Sequence, residues 1–174
     1  MAHESVKVLS HALDQAGDVL DGVHAQHLDL PTPCADWTVR QLVGHLEAAP
    51  RHFLAMARDE PVDWSETPDP GESGWSARFR SGADDLMHHW HTRGEEGEAD
   101  WQIAELAVHT WDLARATGQS RRLDPEVAER GLAFMEKSLT DDLRGTVFGP
   151  RVDVSPDAPP YERLAAFAGR DPRA

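Results

Sequence analysis

The chain has 174 residues, 31 acidic against 17 basic, for a formal net charge of -14, with the acids dispersed along it rather than gathered in a tail. That balance excludes nucleic acid and anionic membrane as partners, since both recruit a basic face. No stretch approaches the roughly 20 apolar residues that span a bilayer, and a single cysteine excludes an internal disulfide framework. The length is that of one domain over 1-174, able to bury roughly two thirds of the surface its unfolded form exposes. The opening MAHESVKVLS has neither the basic start nor the apolar core of a secretory signal, so the cytoplasm is the expected compartment. Ten histidines are many for so acidic a chain and raise the prospect of a metal, although a histidine-rich surface has the same count.

Val6, Leu9, Leu13, Ala16 and Leu20 recur at steps of three and four, which predicts an amphipathic first helix from His3 to about Ala25 in spite of Gly17 and Gly22. His11, His24 and His27 lie in or just after it with no partner at a useful spacing, and are expected in solvent. Leu30-Pro31-Thr32-Pro33-Cys34 reads as a rigid extended connector, because each proline biases the residue before it away from helix. Cys34 is expected to be a small buried hydrophobe rather than a ligand or nucleophile. Thr38 and Gln41 form a capping box, with Trp37 and Leu42 where a hydrophobic staple closes, so a second helix begins there. Leu42, His45, Leu46, Ala49 and Phe53 share one face, which carries His45 toward neighbouring helices, and Pro50 is expected to kink the helix one turn later. A histidine on an apolar face is more often a satisfied core residue than a ligand. His52, two turns from His45, is a reserve candidate.

Asp59 to Gly74, punctuated by prolines and acids, is a surface loop. Ser76 to about Thr92 forms a third helix with Phe79, Ala83, Leu86, Met87 and Trp90 inward. His88, His89 and His91 crowd its end, but neighbouring residues on a helix diverge and cannot share one compact site, so they read as exposed or as cations at a helix C-terminus. Gly94 to Glu98 is an acidic turn. The central helix, Trp101 to Thr117, is apolar round most of its circumference, as suits the inside of a bundle. Gln102, Glu105, His109 and Asp112 fall in one stripe, with Glu105 and His109 a single turn apart. Glu-x-x-x-His is a ready pair of metal ligands, and the same stripe is equally what a wet helix face looks like. Gly118 caps this helix, and Asp124 with Pro125 opens a fifth, packed through Val127, Leu132, Met135 and Leu139. Beyond Gly145 an extended tail runs along the bundle, and a short helix from Pro160 to Phe167 follows.

Catalytic zinc takes three protein ligands and keeps a fourth position open, and two histidines with one glutamate are a known set. His45 from the second helix joins Glu105 and His109 to make such a set, built from facing helices as bundle cores commonly do. An HExxH motif and a CxxC pair are both missing.

LPTPCADWTVRQLVGHL (Leu30 to Leu46) and ELAVHTWDLARATGQ (Glu105 to Gln119) resemble the two signature stretches of the DinB-like superfamily branch that contains the N-terminal domain of mycothiol-dependent maleylpyruvate isomerase. The tail VSPDAPPYERLAAFAGRDP (Val154 to Pro172) resembles the ending of its small actinobacterial members, so the likeness covers nearly the whole chain. The resemblance implies an all-α, DinB-like four-helix bundle with an additional short helix and an extended tail. It also implies a divalent metal, usually zinc and otherwise an ion such as nickel, whose family ligands map onto His45, Glu105 and His109. Asp112 matches the family's Trp-Asp pair and is expected to steady the ligands from behind or to pack.

The chemistry so implied is thiol activation. A low-molecular-weight thiol, mycothiol in actinobacteria, occupies the open position as thiolate, drawn by the single net positive charge that a divalent ion keeps beside one carboxylate and two neutral histidines. Attack on a small electrophile followed by release after bond rotation is cis-trans isomerisation; attack with retention of the sulfur is S-transfer. The isomerase has a second, C-terminal domain that contributes to its active site and has no counterpart in these residues, which points away from maleylpyruvate as substrate. Small-molecule partners and a monomer or homodimer are expected. Two other readings share the ligands: a non-catalytic metal- or ligand-binding bundle acting as a sensor or stress protein, and hydrolysis by metal-bound water, which lacks an obvious separate base.

Overall fold

Leucines, alanines and valines at helical spacing need a common interior. In the computed structural model, which describes residues 2–93, 97–145 and 147–174, six α-helices supply it. They are α1 (Ala2–Asp21), α2 (Val39–Ala57), α3 (Trp75–Arg93), α4 (Gly97–Ala116), α5 (Pro125–Ser138) and α6 (Pro160–Phe167), with short 3-10 turns at Ala25–His27 and Asp141–Leu143. Among the described residues no strand forms beyond one isolated bridge between Pro31 and Thr38. No described helix is long and apolar enough to cross a membrane.

The fold is the all-α DinB-like bundle. Helix α4 is its hub, touching α1, α2, α5 and α6, while α3 closes the far side against α1 and α2. Leu9, Leu20, Leu46, Phe53, Phe79, Leu86, Ile103 and Leu106 are fully buried in the shared core. Trp90 and Trp75 bury their rings because each indole N–H finds an acceptor, Gln102 Oε1 at 3.1 Å and the Leu20 carbonyl at 3.0 Å.

The start of α2 follows its sequence closely. Thr38 is extended at the cap, and the Gln41 side chain accepts from the Thr38 N–H at 2.9 Å while the Thr38 hydroxyl accepts from the Gln41 N–H. The connector before it is tied down by Val39 N–H to Leu30 O and Arg40 N–H to Leu28 O, both 2.9 Å. Helix α2 then runs on through Pro50 to Ala57.

Some boundaries differ from expectation. Helix α1 stops at Asp21, and α4 already includes Gly97 and Glu98, so only Gly94 to Glu96 of the expected acidic turn are left, outside the described residues. His11, expected in solvent, is half-buried and pairs with Asp124 Oδ2 at 3.0 Å, while Asp124 caps α5 by accepting from the Glu126 N–H. No local spacing discloses that contact, which joins residues 113 positions apart.

The loop 59–74 is exposed along most of its length but is seated on α2. Arg78 donates to both oxygens of Glu47, at 2.7 and 3.0 Å, and to the Pro70 carbonyl at 2.6 Å, and Arg40 grips Asp69 and Glu72. Gly44 makes the approach possible, since a Cβ there would overlap the Pro68 carbonyl oxygen. Ordinarily alanine in place of a helical glycine gains about 1 kcal/mol, but overpacking against a fixed backbone costs about 1–3 kcal/mol. Gly44→Ala is therefore expected to destabilise the protein by about 1–2 kcal/mol, read as a lower urea midpoint at unchanged slope. A higher midpoint would show that the loop yields freely.

Candidate metal centre

Three side chains meet where α2 crosses α4. His45 Nε2 lies 2.8 Å from Glu105 Oε1, and His109 Nε2 lies 3.2 Å from that same oxygen. The capping box sets the register of α2, and about two turns beyond Thr38 His45 meets Glu105 of α4. The stripe on α4 is not its wet face: Gln102, His109 and Asp112 are buried and Glu105 nearly so, because α4 has helices on every side.

The imidazole of His109 is fixed from behind. Its Nδ1 lies 3.2 Å from Asp112 Oδ2, so Nδ1 donates to that carboxylate and Nε2 faces Glu105 and His45. His109 Nε2 is off the direction of a hydrogen bond to Glu105 and has no other partner, although fully buried. Asp112 is held in turn by Arg170, which donates to Oδ1 from Nε at 3.0 Å and to Oδ2 from Nη2 at 2.8 Å. Arg170 also donates to the carbonyls of Val147 and Ala168, and its guanidinium lies 5.5 Å from the centre of the Phe148 ring. The chain reaches this position through Gly169, whose φ of +89° and close crossing of the Gly149 backbone, 2.6 Å from where a Cβ would stand, both demand glycine.

The electrostatics follow from burial and its compensation. Burial alone would push the Glu105 carboxyl up, but the two imidazoles outweigh it and hold the group well below the usual carboxylate range. Burial works against a charged His109, yet Glu105 and Asp112 together raise it above an ordinary histidine. His45 is lowered, chiefly by burial. The Asp112 carboxyl, raised by burial, is brought below its ordinary value by His109 and Arg170.

Among the described residues three groups bring metal-binding atoms within 4.8 Å of one another. In the set of Cys34, His109 and Asp112, both Asp112 oxygens are committed to Arg170, and burial pushes the Cys34 thiol up to about 11. In the set of His11, Asp124 and Glu126, Asp124 is occupied as a helix cap. The set of His45, Glu105 and His109 is the one whose possible ligand atoms converge with a buried nitrogen among them that has no hydrogen bond. His52 is not brought to it; its ring stands edge-on to Trp64 at 4.9 Å. His88 and His91 are exposed at the end of α3.

Aromatic rings enclose the cluster, and their assembly was not readable from the chain. Trp37 lies 4.5 Å from the His45 ring and 5.5 Å from His109, Trp64 of the loop 6.0 Å from His45, and Phe148 of the tail 6.5 Å from His109. Arg170 was missed as well. Its one signal is an arginine following a glycine in a tail of mixed charge, which names no partner.

The family model described as the mycothiol maleylpyruvate isomerase N-terminal domain matches residues 9–114. Two proteins of Mycobacterium tuberculosis are similar over nearly their whole length: Uncharacterized protein MT0763 of strain CDC 1551 / Oshkosh and Uncharacterized protein Rv0738 of strain ATCC 25618 / H37Rv. Each is 31% identical over 190 aligned positions, covering 99% of this chain and 98% of the relative. No solved structure matches the chain. Phe148 and Arg170 therefore stand outside the matched residues. Removing one member of a buried ion pair costs about 3–5 kcal/mol, whereas replacing both by apolar residues is often neutral. Arg170→Met is expected to destabilise the fold by that amount and Arg170→Met with Asp112→Leu to recover most of it, measured by urea unfolding. Equal losses in the single and double variants would remove the ion pair as the cause.

Proposed function

Because the chain belongs to the family of mycothiol maleylpyruvate isomerase N-terminal domains, we propose that it is a metal- and thiol-dependent enzyme in which His45, Glu105 and His109 hold one divalent ion. Zinc, or a similar ion such as nickel, suits two imidazole nitrogens and one carboxylate oxygen with a position left open. The observation that carries this reading is the buried Nε2 of His109, which makes no hydrogen bond and is aimed at the atoms that His45 and Glu105 contribute. Polar atoms buried in that way call for a partner.

Bound there, the ion would supply a Lewis acid that favours the anionic form of a small thiol, mycothiol in an actinobacterial setting. The chain's own residues do the rest. Glu105 offsets part of the positive charge, and Asp112 keeps the His109 proton on Nδ1 so that Nε2 stays a donor of its lone pair. Arg170 keeps Asp112 from turning toward the site as a competing ligand. Trp37, Trp64 and Phe148 exclude water around the reacting sulfur. The sulfur lone pair forms a C–S bond at an electrophilic carbon. In S-transfer the displaced electron pair departs with the leaving group; in isomerisation it returns when the C–S bond breaks after rotation. The partners on this reading are small molecules, and the compartment is the cytoplasm.

Elemental analysis of untagged protein beside Glu105→Ala and His109→Ala, with circular dichroism on each, tests the assignment. About one equivalent of zinc or a similar ion is expected in the parent and little in the folded variants, as for a three-ligand site. Full metal content in both variants would overturn the ligand set. Turnover of electrophiles without any thiol would transfer the site to metal-assisted hydrolysis, and thiol binding without consumption would make it a binding module.

A further inference from the structure

Beside the three converging side chains lies a second feature that the proposed chemistry leaves unused. Between α4, α5 and the tail is a cavity of about 140 Å³. Trp101 and Ala104 form one wall, Phe134, Met135 and Leu139 the opposite one, and Phe148 an end. Glu105 and Ser138 are its polar groups, so the cavity opens onto the same carboxylate that faces His45 and His109.

Its size and charge define what fits. An apolar cavity of roughly 150 Å³ admits a benzene ring, so this one takes a single ring or a short branched chain. Among the described residues that line it there is no cation, and Arg170, whose guanidinium lies 5.5 Å from the Phe148 ring centre, is held by Asp112. A carboxylate lodged among these rings would lose its hydration and find no counter-ion in the lining, which opposes binding. A neutral apolar group loses nothing and gains aromatic contact with Trp101, Phe134 and Phe148.

We propose that this cavity is the electrophile pocket and that the electrophile is an uncharged molecule presenting one ring-sized apolar group, rather than a dicarboxylate. The inference rests on the thiol-dependent reading for its word electrophile, and on the cavity's own lining for the rest. Glu105 marks the junction at which the group to be attacked meets the thiol, and Ser138, exposed at the end of α5, stands at the mouth.

Toluene and benzoate share a ring and differ in charge, which makes them the probes. Titration of the purified protein, followed by the backbone amide signals of Ala104 and Leu139, is expected to show saturable toluene binding and benzoate binding weaker by roughly tenfold or more. Ser138→Trp, and the smaller Ser138→Phe, should weaken toluene by a similar factor without changing the metal content or helicity. Benzoate binding as tightly as toluene, or toluene binding unaltered in both Ser138 variants, would overturn the proposal. Metal content is read separately. Protein that holds its metal but ignores toluene overturns this inference alone, while protein that binds toluene but takes up no metal overturns the reading beneath it.

Discussion

Charge that has been taken out of water must be answered inside the fold, and around α4 this requirement organises the molecule. Glu105, His109 and Asp112 sit on one buried stripe, and each is compensated by the next: Glu105 by two imidazoles, His109 by a carboxylate on either side, Asp112 by the guanidinium of Arg170. Desolvation of such groups costs several kcal/mol per ion unless the partners are held in good geometry. The elements that deliver those partners are accordingly the ones with the most specific local structure. The capping box sets where α2 begins and so where His45 arrives, and the Gly149–Gly169 crossing brings Arg170 back to α4.

The same arrangement explains why the wrapping around the cluster is aromatic. Trp37, Trp64, Trp101 and Phe148 come from the connector, the loop, α4 and the tail, four separate segments that share only their distance from the site. Large rigid rings close a polar cluster to water while losing little side-chain entropy. Gly44 allows the loop carrying Trp64 to lie against α2, and Arg170 ties the segment carrying Phe148 to Asp112, so the enclosure is built from the ion pairs outward.

Membership of the family rests on residues 9–114, which hold all three converging side chains and Asp112. What lies after them adds Arg170 and most of the cavity wall. The helices of the matched part bring the three candidate ligands together, and the later part supplies the second wall beside them.

Local regularities made much of this legible in the sequence. Helical periodicity located six helices to within a few residues, the Thr38 and Gln41 box marked the start of α2, Gly118 marked the end of α4, and the one-turn spacing of Glu105 and His109 put both on one side. Each of those features is decided by groups three or four residues apart, where backbone geometry leaves few choices. Periodicity could not say whether the Gln102 to Asp112 stripe faced water or the interior, because that depends on which helices surround α4. Nor could it foresee His11 meeting Asp124, Trp64 reaching His45, or Arg170 reaching Asp112 across 58 residues. Those contacts are set by how whole elements pack. A side chain's chemical type limits which partners it will accept, and the partner it meets is chosen by tertiary structure, where burial makes an uncompensated charge too costly to leave alone.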